Sequence, residues 1–423
     1  MKLNHWLPTS ILTIALAGCG GGDHSQPQST LSSPVSVTIS PSVVDTFIHQ
    51  QVQLTATVHN ATDPSVSWFV QEAGMGAVSD EGLYTAPWMY GNFHIIAVSN
   101  ADPTKSARAT VRVAASFAFI ESLAPVTGPF PTTPMLGNFA SNGTLTIKGV
   151  TDPQTGGLFA AAIEDITISN DGKKVVFSME APGTVNIYIA NADFSGITQL
   201  TSGAPSNRPQ FSPDDKQILY IRWNEPISRS EIWGMNSDGS NQHAVLPATE
   251  GILNCDFPTY SPDGKRISAQ LLWIVNGVQY YGIAIMNADG SGAIPLTGDA
   301  NRECGGWDNE PSFTRDGSAI LFSRVCDNQQ RLVGTLYSIN IDGTNLTKLY
   351  GDGTWGVVNA RPQAVVQGGI LFQSNQDFGW CVLFEIYNLS QDVSSGQVKR
   401  ITNNMLFDGF DYTWYRWFPT PCG

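Results

Sequence analysis

Charged side chains and histidine are scarce in this 423-residue sequence. Asp, Glu, Lys and Arg together make up 14% of it, and of its six histidines only His243 lies in the long C-terminal part. Only one histidine is therefore available there as the base of a Ser-His-Asp triad. Gly-x-Ser-x-Gly and Cys-x-x-Cys spacings are also missing, which disfavours a hydrolase elbow and a zinc site. We expect no catalytic activity and no cofactor, and leave open a structural Ca²⁺ held by loop carboxylates.

Basic residues are few as well, with 22 Lys and Arg against 36 Asp and Glu and a formal net charge of −14. Such a surface repels phosphate backbones, so we expect no nucleic-acid partner. Apolar stripes at helical spacing are missing beyond the N-terminus, whereas Gly (41) and Pro (25) are plentiful. This combination is typical of many short strands joined by turns, and it predicts an all-β fold.

The first twenty residues form an export signal. A basic start at Lys2 precedes the apolar run 7–16, which is too short to span a membrane. The tetrad Leu16-Ala17-Gly18-Cys19 resembles the lipobox of bacterial lipoproteins. The resemblance implies that residues 1–19 end at a lipidated Cys19, and Gly20 in the next position implies an outer-membrane lipoprotein. The alternative is a plain secretory signal with a chance cysteine. Residues 20–33, rich in Gly, Ser and Gln, predict a flexible tether.

Residues 34–115 alternate apolar and polar side chains in short runs, as half-buried strands do. The pattern predicts a small β-sandwich with Trp68 in its core. The run Gly82-Leu83-Tyr84-Thr85-Ala86-Pro87 resembles bacterial immunoglobulin-like domains, which implies a spacer or an adhesive module.

A repeat dominates residues 116–423. The turn motifs begin at Ser169, Ser212, Ser261 and Thr314 and read Ser-Asn-Asp-Gly, Ser-Pro-Asp-Asp, Ser-Pro-Asp-Gly and Thr-Arg-Asp-Gly. An apolar strand and an Asn-x-Asp motif follow each one, so each unit predicts one four-stranded propeller blade. A degenerate fifth unit follows. Segment 418–423 fits the start of a sixth blade, completed by strands near 117–120 and 144–147. We therefore predict a six-bladed β-propeller closed by its C-terminal strand.

The repeated Ser-Pro-Asp-Gly and Asn-Ala-Asp-Gly motifs resemble the propeller of the TolB family. That resemblance implies the fold, but this propeller hosts many roles, and the α/β domain that precedes it in TolB is replaced here. We therefore do not transfer TolB's own partner or role to this chain.

The long loops before the first and after the second strand of each unit predict the binding face, because long loops on a rigid scaffold carry sites. Trp and Arg flanked by carboxylates are typical of interaction hot spots, and packing between blades is the alternative role. The candidates are Trp223, Glu225, Arg229, Asp256, Arg302, Trp307, Asp308, Glu310, Trp355, Arg361, Asp377 and Trp380.

Cysteines in these loops agree with an oxidising compartment. The disulfide candidates are Cys255, Cys304, Cys326 and Cys381, for which three pairings exist. We expect Cys255–Cys304 and Cys326–Cys381 bridges between equivalent loops of neighbouring blades.

Together these features predict a non-catalytic envelope lipoprotein that is attached to the membrane by its lipid and binds an envelope protein. The alternatives are a receptor for an extracellular glycan or peptide and, with less support, a propeller hydrolase or lyase.

Overall fold

The computed structural model describes most of the chain after the predicted tether. The described residues are 33–87, 90–122, 132–142, 144–152, 156, 162–181, 183–249, 251–275, 277–298, 304, 306–327, 332–351, 353–354, 357–364, 370–374, 376, 385–389, 398–401 and 407–409. Several predicted features lie outside them, namely Cys19, the tether, Arg302, Trp355, Asp377, Trp380, Cys381 and the segment 418–423. No helix among the described residues is long and apolar enough to cross a membrane.

The first nine strands build the N-terminal part. They are β1 (Ser36–Ser40), β2 (Val43–Phe47), β3 (Gln51–Gln53), β4 (Thr55–His59), β5 (Val66–Val70), β6 (Ala77–Val78), β7 (Leu83–Thr85), β8 (Gly91–Ser99) and β9 (Ser106–Ser122). β1 pairs with β4, β7 lies between β3 and β6, and β8 lies between β5 and β9, with β2 parallel to β9. Leu54, Tyr84, Ile95 and Val111 are fully buried in one shared core, against which Trp68 packs as predicted.

Strand β9 runs through the predicted boundary between residues 115 and 116. Its first half pairs with β8, from Ser106 to Val113, and its second half pairs with a later strand, from Ala115 to Ser122. A continuous strand has no rotatable linker between its halves, so the N-terminal part is joined directly to the repeat part.

The described residues of the repeat part form five consecutive four-stranded sheets, here called sheets 1 to 5, each antiparallel with its strands in chain order. Sheet 1 contains β12 (Ile163–Ile168), β13 (Lys174–Ala181), β14 (Thr184–Asn191) and β15 (Thr198–Gln199). Sheet 2 contains β16 (Ser206–Phe211), β17 (Gln217–Asn224), β18 (Arg229–Asn236) and β19 (His243–Leu246), with a 3₁₀ turn at Glu225–Ile227. Sheet 3 contains β20 (Ile252–Tyr260), β21 (Arg266–Val275), β22 (Val278–Asn287) and β23 (Ile294–Pro295). Sheet 4 contains β24 (Gly306–Phe313), β25 (Ala319–Asp327), β26 (Leu332–Asn340) and β27 (Thr347–Tyr350). Sheet 5 contains β28 (Asn359–Ala364), β29 (Ile370–Ser374), β30 (Glu385–Leu389) and β31 (Val398–Arg400).

A further group of strands joins the two ends of the repeat part. It contains β10 (Thr132–Phe139), β11 (Leu145–Gly149) and β32 (Phe407–Gly409), arranged around the second half of β9 in the order β32-β9-β10-β11. The predicted strand near 117–120 is therefore part of β9, and the one near 144–147 is β11. Since β32 follows all five sheets in the sequence, its pairing with β9 covers an edge that would otherwise be exposed.

The first turn motif is held by hydrogen bonds within itself. In sheet 1 the Ser169 hydroxyl donates to Asp171 at 2.7 Å and accepts from the Lys174 amide at 2.9 Å. Sheets 2 to 4 repeat the Ser-Asp or Thr-Asp bond at 2.6 to 2.7 Å. The carboxylate also accepts a backbone N–H two residues later, which makes the turn an Asx turn that satisfies its own polar groups. This local chemistry explains why the motif recurs.

Asp215 stands where the equivalent turns have glycine, and its φ is 60°. Its carboxylate accepts hydrogen bonds from the Asn170 backbone N–H at 2.8 Å, the Asn170 side chain at 2.9 Å and the Asp171 backbone N–H at 3.1 Å. The side chain therefore ties the turn of sheet 2 to the turn of sheet 1.

We expect Asp215→Gly to lower the free energy of unfolding by about 1–2 kcal/mol, because it removes the acceptor of two partly buried backbone N–H groups. Relief of the left-handed backbone offsets only part of this loss. Urea unfolding monitored by fluorescence measures the change. Asp215→Asn, which keeps one acceptor oxygen and tolerates positive φ, should be less affected. A glycine variant as stable as the parent would contradict this role.

Candidate functional site

The first strands of the five sheets line a central channel. Each contacts the first strand of the next sheet, from β12 through β16, β20 and β24 to β28. Every one of them contains a break in strand register, and one member of what we call the channel ring lies inside that break or, in β12, directly beside it. The ring consists of Asp165, Arg208, Phe257, Glu310 and Arg361.

Four members of the ring have a left-handed backbone. The φ angles of Arg208, Phe257, Glu310 and Arg361 are 58°, 51°, 55° and 51°, and proline follows each of them in the sequence. A non-glycine residue in this region costs about 1–3 kcal/mol, and such positions cluster at functional or tightly determined sites. The bulge turns each side chain out of the sheet and toward the channel axis.

The charged side chains of the ring form ion pairs with one another. Arg208 donates to Asp165 at 2.9 Å and to Asp256 at 3.0 Å. Arg361 lies 3.2 Å from a Glu310 oxygen and 3.4 Å from Asp165. Arg361 extends from sheet 5 and Asp165 from sheet 1, and these two sheets are not consecutive in the chain. Their contact therefore reaches around the channel instead of staying within one sheet.

Phe257 lies between the two arginines of the ring. The Arg208 guanidinium carbon lies 4.0 Å from the centre of the Phe257 ring, and that of Arg361 lies 4.7 Å from it. Stacking of this kind on an aromatic face is attractive for a guanidinium, more so where water is excluded. The channel ring is therefore a cluster of paired charges and stacked side chains.

The N-terminal part reaches one end of the channel. A cavity of about 240 Å³ is lined by the channel ring on one side and by Ile48 and His49, from the turn between β2 and β3, on the other. The turn motifs of the sheets line the same end, including Arg315, which stands where sheets 2 and 3 have proline. We call this the turn end and the opposite one the loop end. Burial, together with the Arg315 charge, lowers the pKa of His49 to about 4.

Exposed apolar side chains gather at the loop end of sheets 2 and 3. Ile227 in the 3₁₀ turn is 46% exposed, and Ile274 and Val278, beside the turn between β21 and β22, are 40% and 54% exposed. Tyr281 on β22 is 37% exposed. Large apolar side chains grouped on a surface mark interaction sites more often than isolated ones do.

A cavity of about 750 Å³ lies between sheets 2 and 3, and Tyr281 is the one of these four residues that lines it. Trp223, Glu225, Asn207 and Ile221 of sheet 2 and Asn254, Asp256, Gln270 and Tyr281 of sheet 3 contribute to its lining. Ligand pockets in proteins have this size and this mixture of aromatic and polar walls.

Three of the predicted binding-face residues meet at this cavity, namely Trp223, Glu225 and Asp256. Arg229 is nearby, and its guanidinium donates to the Thr249 carbonyl. Trp307 is half-buried on β24, apart from the residues that line the cavity.

Other predicted face residues lie inside the protein. Asp308 is fully buried, and Arg324 binds both of its carboxylate oxygens, at 2.7 and 3.0 Å. Glu310 and Arg361 belong to the channel ring. The prediction that loops contain Asp308 and Glu310 is wrong, because β24 begins at Gly306 and includes both residues.

The predicted disulfide pairing is wrong. Cys304 pairs with Cys326, with 5.6 Å between the Cα atoms, and both belong to the unit of sheet 4. The bridge forms within this unit because Gly306 lies opposite Cys326 in the strand register, which brings the preceding residues within reach. Cys255 is a buried free thiol that donates to the Ser230 carbonyl, and burial raises its pKa to about 12.

Asp165, Arg208 and Phe257 of the channel ring were not among the predicted site residues. A signal was present, because a residue followed by proline stands four positions before the Ser or Thr of the turn motif in sheets 2 to 4. Among the described residues, no group of three His, Cys, Asp or Glu side chains is arranged to hold a metal ion.

Comparison with known proteins supports the fold. No protein-family model matches the chain. A segment of 69 residues is 31% identical to the Tol-Pal system protein TolB of Rhizorhabdus wittichii, and it covers 16% of this chain and 16% of that protein. The fold is a TolB-like β-propeller.

Two solved structures illustrate the likeness. Hydrazine synthase of Kuenenia stuttgartiensis superposes with a TM-score of 0.51 at 15% identity, covering 70% of this chain and 46% of that one. A protein of Agrobacterium tumefaciens assigned as TolB gives a TM-score of 0.42 at 21% identity, covering 57% of this chain and 92% of that one. At such identities the likeness concerns the fold alone.

Proposed function

We propose that this chain is a non-catalytic lipoprotein of the cell envelope whose propeller binds a partner protein at the loop end. In this proposal Cys19 carries the lipid that holds the protein at the outer membrane. Residues 34–115 form an immunoglobulin-like module. The strands β32-β9-β10-β11, completed by the segment 418–423, form the sixth blade.

The exposed apolar group at the loop end of sheets 2 and 3 carries this proposal. Ile227, Ile274, Val278 and Tyr281 are exposed on two neighbouring sheets, and Tyr281 also lines the cavity between these sheets. Apolar and aromatic anchors of this kind supply most of the binding energy in protein interfaces. Their exposure costs solubility, which is explained if a partner covers them.

The placement of the N-terminal part also supports a partner interface at the loop end. The turn between β2 and β3 covers the turn end of the channel. The predicted tether directly precedes β1 in the sequence. No described residue of the N-terminal part lines the cavity at the loop end, and a lipid-anchored protein would present this end away from its anchor.

The pairing of the channel carboxylates supports a non-catalytic role. Asp165 and Glu310 each bind an arginine of the ring. A general acid, base or nucleophile must reach a substrate atom directly, and these carboxylates are occupied by their partners. The name of the Rhizorhabdus relative, a protein of the Tol-Pal system, supports an envelope location and a protein partner.

Photo-crosslinking in cells of the native host tests the proposal. A photoreactive amino acid at Ile227 or Ile274 should give a discrete adduct with another envelope protein, because a partner would cover both positions. The same amino acid at Phe69, which is 53% exposed on the N-terminal part, is the matched control and should give no such adduct.

Equal crosslinking at all three positions, or none at any, would contradict a loop-end interface. Cys19→Ser tests the anchor separately, since loss of the lipid should move the protein from the membrane to the soluble fraction.

A further inference from the structure

We propose that the cavity between sheets 2 and 3 binds a neutral oligosaccharide. The inference rests on the proposed function for its location, the loop end, and adds a ligand class to it.

Unused amide groups in the wall indicate a polar ligand. Gln270 is 4% exposed and lines the cavity, and none of the described residues forms a hydrogen bond with its side-chain amide. Its polar atoms are not among the fully buried side-chain atoms that lack a partner, so a ligand that enters the cavity can bond this amide in place of water. Such an amide offers both donors and an acceptor.

Asn254 provides a second amide whose orientation is set by its neighbours. Its Oδ1 accepts from the Ser230 backbone N–H and hydroxyl, both at 3.0 Å. These bonds leave Nδ2 as a donor for the cavity. Asn207 adds a third amide, so donors and acceptors line one space. Sugar hydroxyls act as both donor and acceptor and match such a lining better than an apolar ligand would.

Aromatic walls complete the match. Trp223 and Tyr281 line the same cavity from neighbouring sheets. Their π faces are electron-rich and attract polarised C–H groups such as those on the flat face of a pyranose ring. At about 750 Å³ the cavity is large enough for a short oligosaccharide segment.

The charges of the residues that line the cavity favour a neutral ligand. None of the described residues that line the cavity is Lys, Arg or His, whereas Glu225 and Asp256 carry carboxylates. Uronates and phosphates are therefore repelled. A cationic peptide is less well matched than a neutral sugar, because Asp256 is already bonded to Arg208 and only the exposed Glu225 remains.

Calorimetry with the full chain tests the inference. The probes are maltohexaose, cellohexaose and chitohexaose acetylated on nitrogen, with an oligogalacturonate as the anionic arm and a lysine-rich peptide as the cationic arm. At least one neutral sugar should bind, and Trp223→Ala and Gln270→Leu should each weaken it by about tenfold or more. Phe69→Ala, which removes an exposed aromatic side chain elsewhere, should leave binding unchanged.

The inference is overturned if no neutral sugar binds, if the oligogalacturonate or the peptide binds better, or if neither cavity variant weakens binding. Its failure can be told apart from failure of the proposed function. Loss of sugar binding with loop-end crosslinks intact removes the ligand class alone, whereas loss of the crosslinks removes the interface.

Discussion

Asp308→Ala should lower the free energy of unfolding by about 3–5 kcal/mol, because removing one partner of a buried ion pair leaves an uncompensated charge. Asp308 is fully buried, and Arg324 is 3% exposed. Two hydrogen bonds join them across neighbouring positions of β24 and β25. The Arg324 guanidinium also lies 4.8 Å from the centre of the Tyr337 ring, which holds it in place. Unfolding of the full chain in guanidinium chloride measures this loss of stability.

The chain offers a matched control in an exposed pair. Arg112 and Asp45 are 2.8 Å apart, but their side chains are 47% and 74% exposed. Asp45→Ala should change stability by less than about 1 kcal/mol, since solvent screens such pairs. The double variant Asp308→Leu with Arg324→Met removes both charges and should recover much of the stability. If Asp308→Ala unfolds like the parent and instead weakens partner binding, the original assignment of Asp308 to the binding face would be right.

The contact between His49 and the turn end should make stability depend on pH. Burial disfavours the charged imidazole and lowers the pKa of His49 in the folded protein to about 4, against an ordinary value of 6.5. The unfolded chain therefore takes up a proton first as pH falls. The stabilising contribution is complete above the unfolded pKa and is lost progressively as pH falls from 6.5 toward 4. Linkage gives a loss of about 2 kcal/mol between about pH 7 and about pH 5.

His49→Asn should remove this part of the pH dependence. Asparagine is the suitable replacement because it tolerates the φ of 61° at this position. Arg315→Gln should keep most of the dependence, since burial is the larger cause and the Arg315 charge the smaller one. Unfolding midpoints measured across this pH range separate the variants. A His49→Asn protein that loses as much stability as the parent on acidification would show that His49 is not the group responsible.

Local chemistry explains why the sheets could be predicted. The Ser-x-Asp-Gly turns are closed by hydrogen bonds between residues at most five positions apart, such as Ser261 with Asp263 and with the Arg266 amide. The same holds for the Asn-x-Asp turns, where Asn236 bonds Ser240. Such motifs act over a few residues, so they can be recognised without knowing the fold. Strand positions between them follow from the alternation of apolar side chains.

The predictions that failed depended on distances between sheets. Loop equivalence suggested a Cys255–Cys304 bridge, but strand register places Cys304 beside Cys326 and buries Cys255 against Ser230. Position within a unit also suggested that Asp308 is exposed. Its burial depends on where β24 begins, which the loop pattern did not reveal.

The all-β class, the repeated four-stranded units and their turns can be predicted from the amino acids alone, because turn hydrogen bonds and side-chain alternation are local. Which side chains meet depends on the folded chain as a whole. The channel ring joins Asp165 to Arg361 over 196 residues of chain, and His49 lies against a turn of sheet 4. The cavity between sheets 2 and 3 likewise combines the predicted Trp223, Glu225 and Asp256 with side chains that no sequence pattern marked, namely Asn254, Gln270 and Tyr281. Contacts of this kind arise from the closure of sheets around a common axis, and closure is a property of the whole chain.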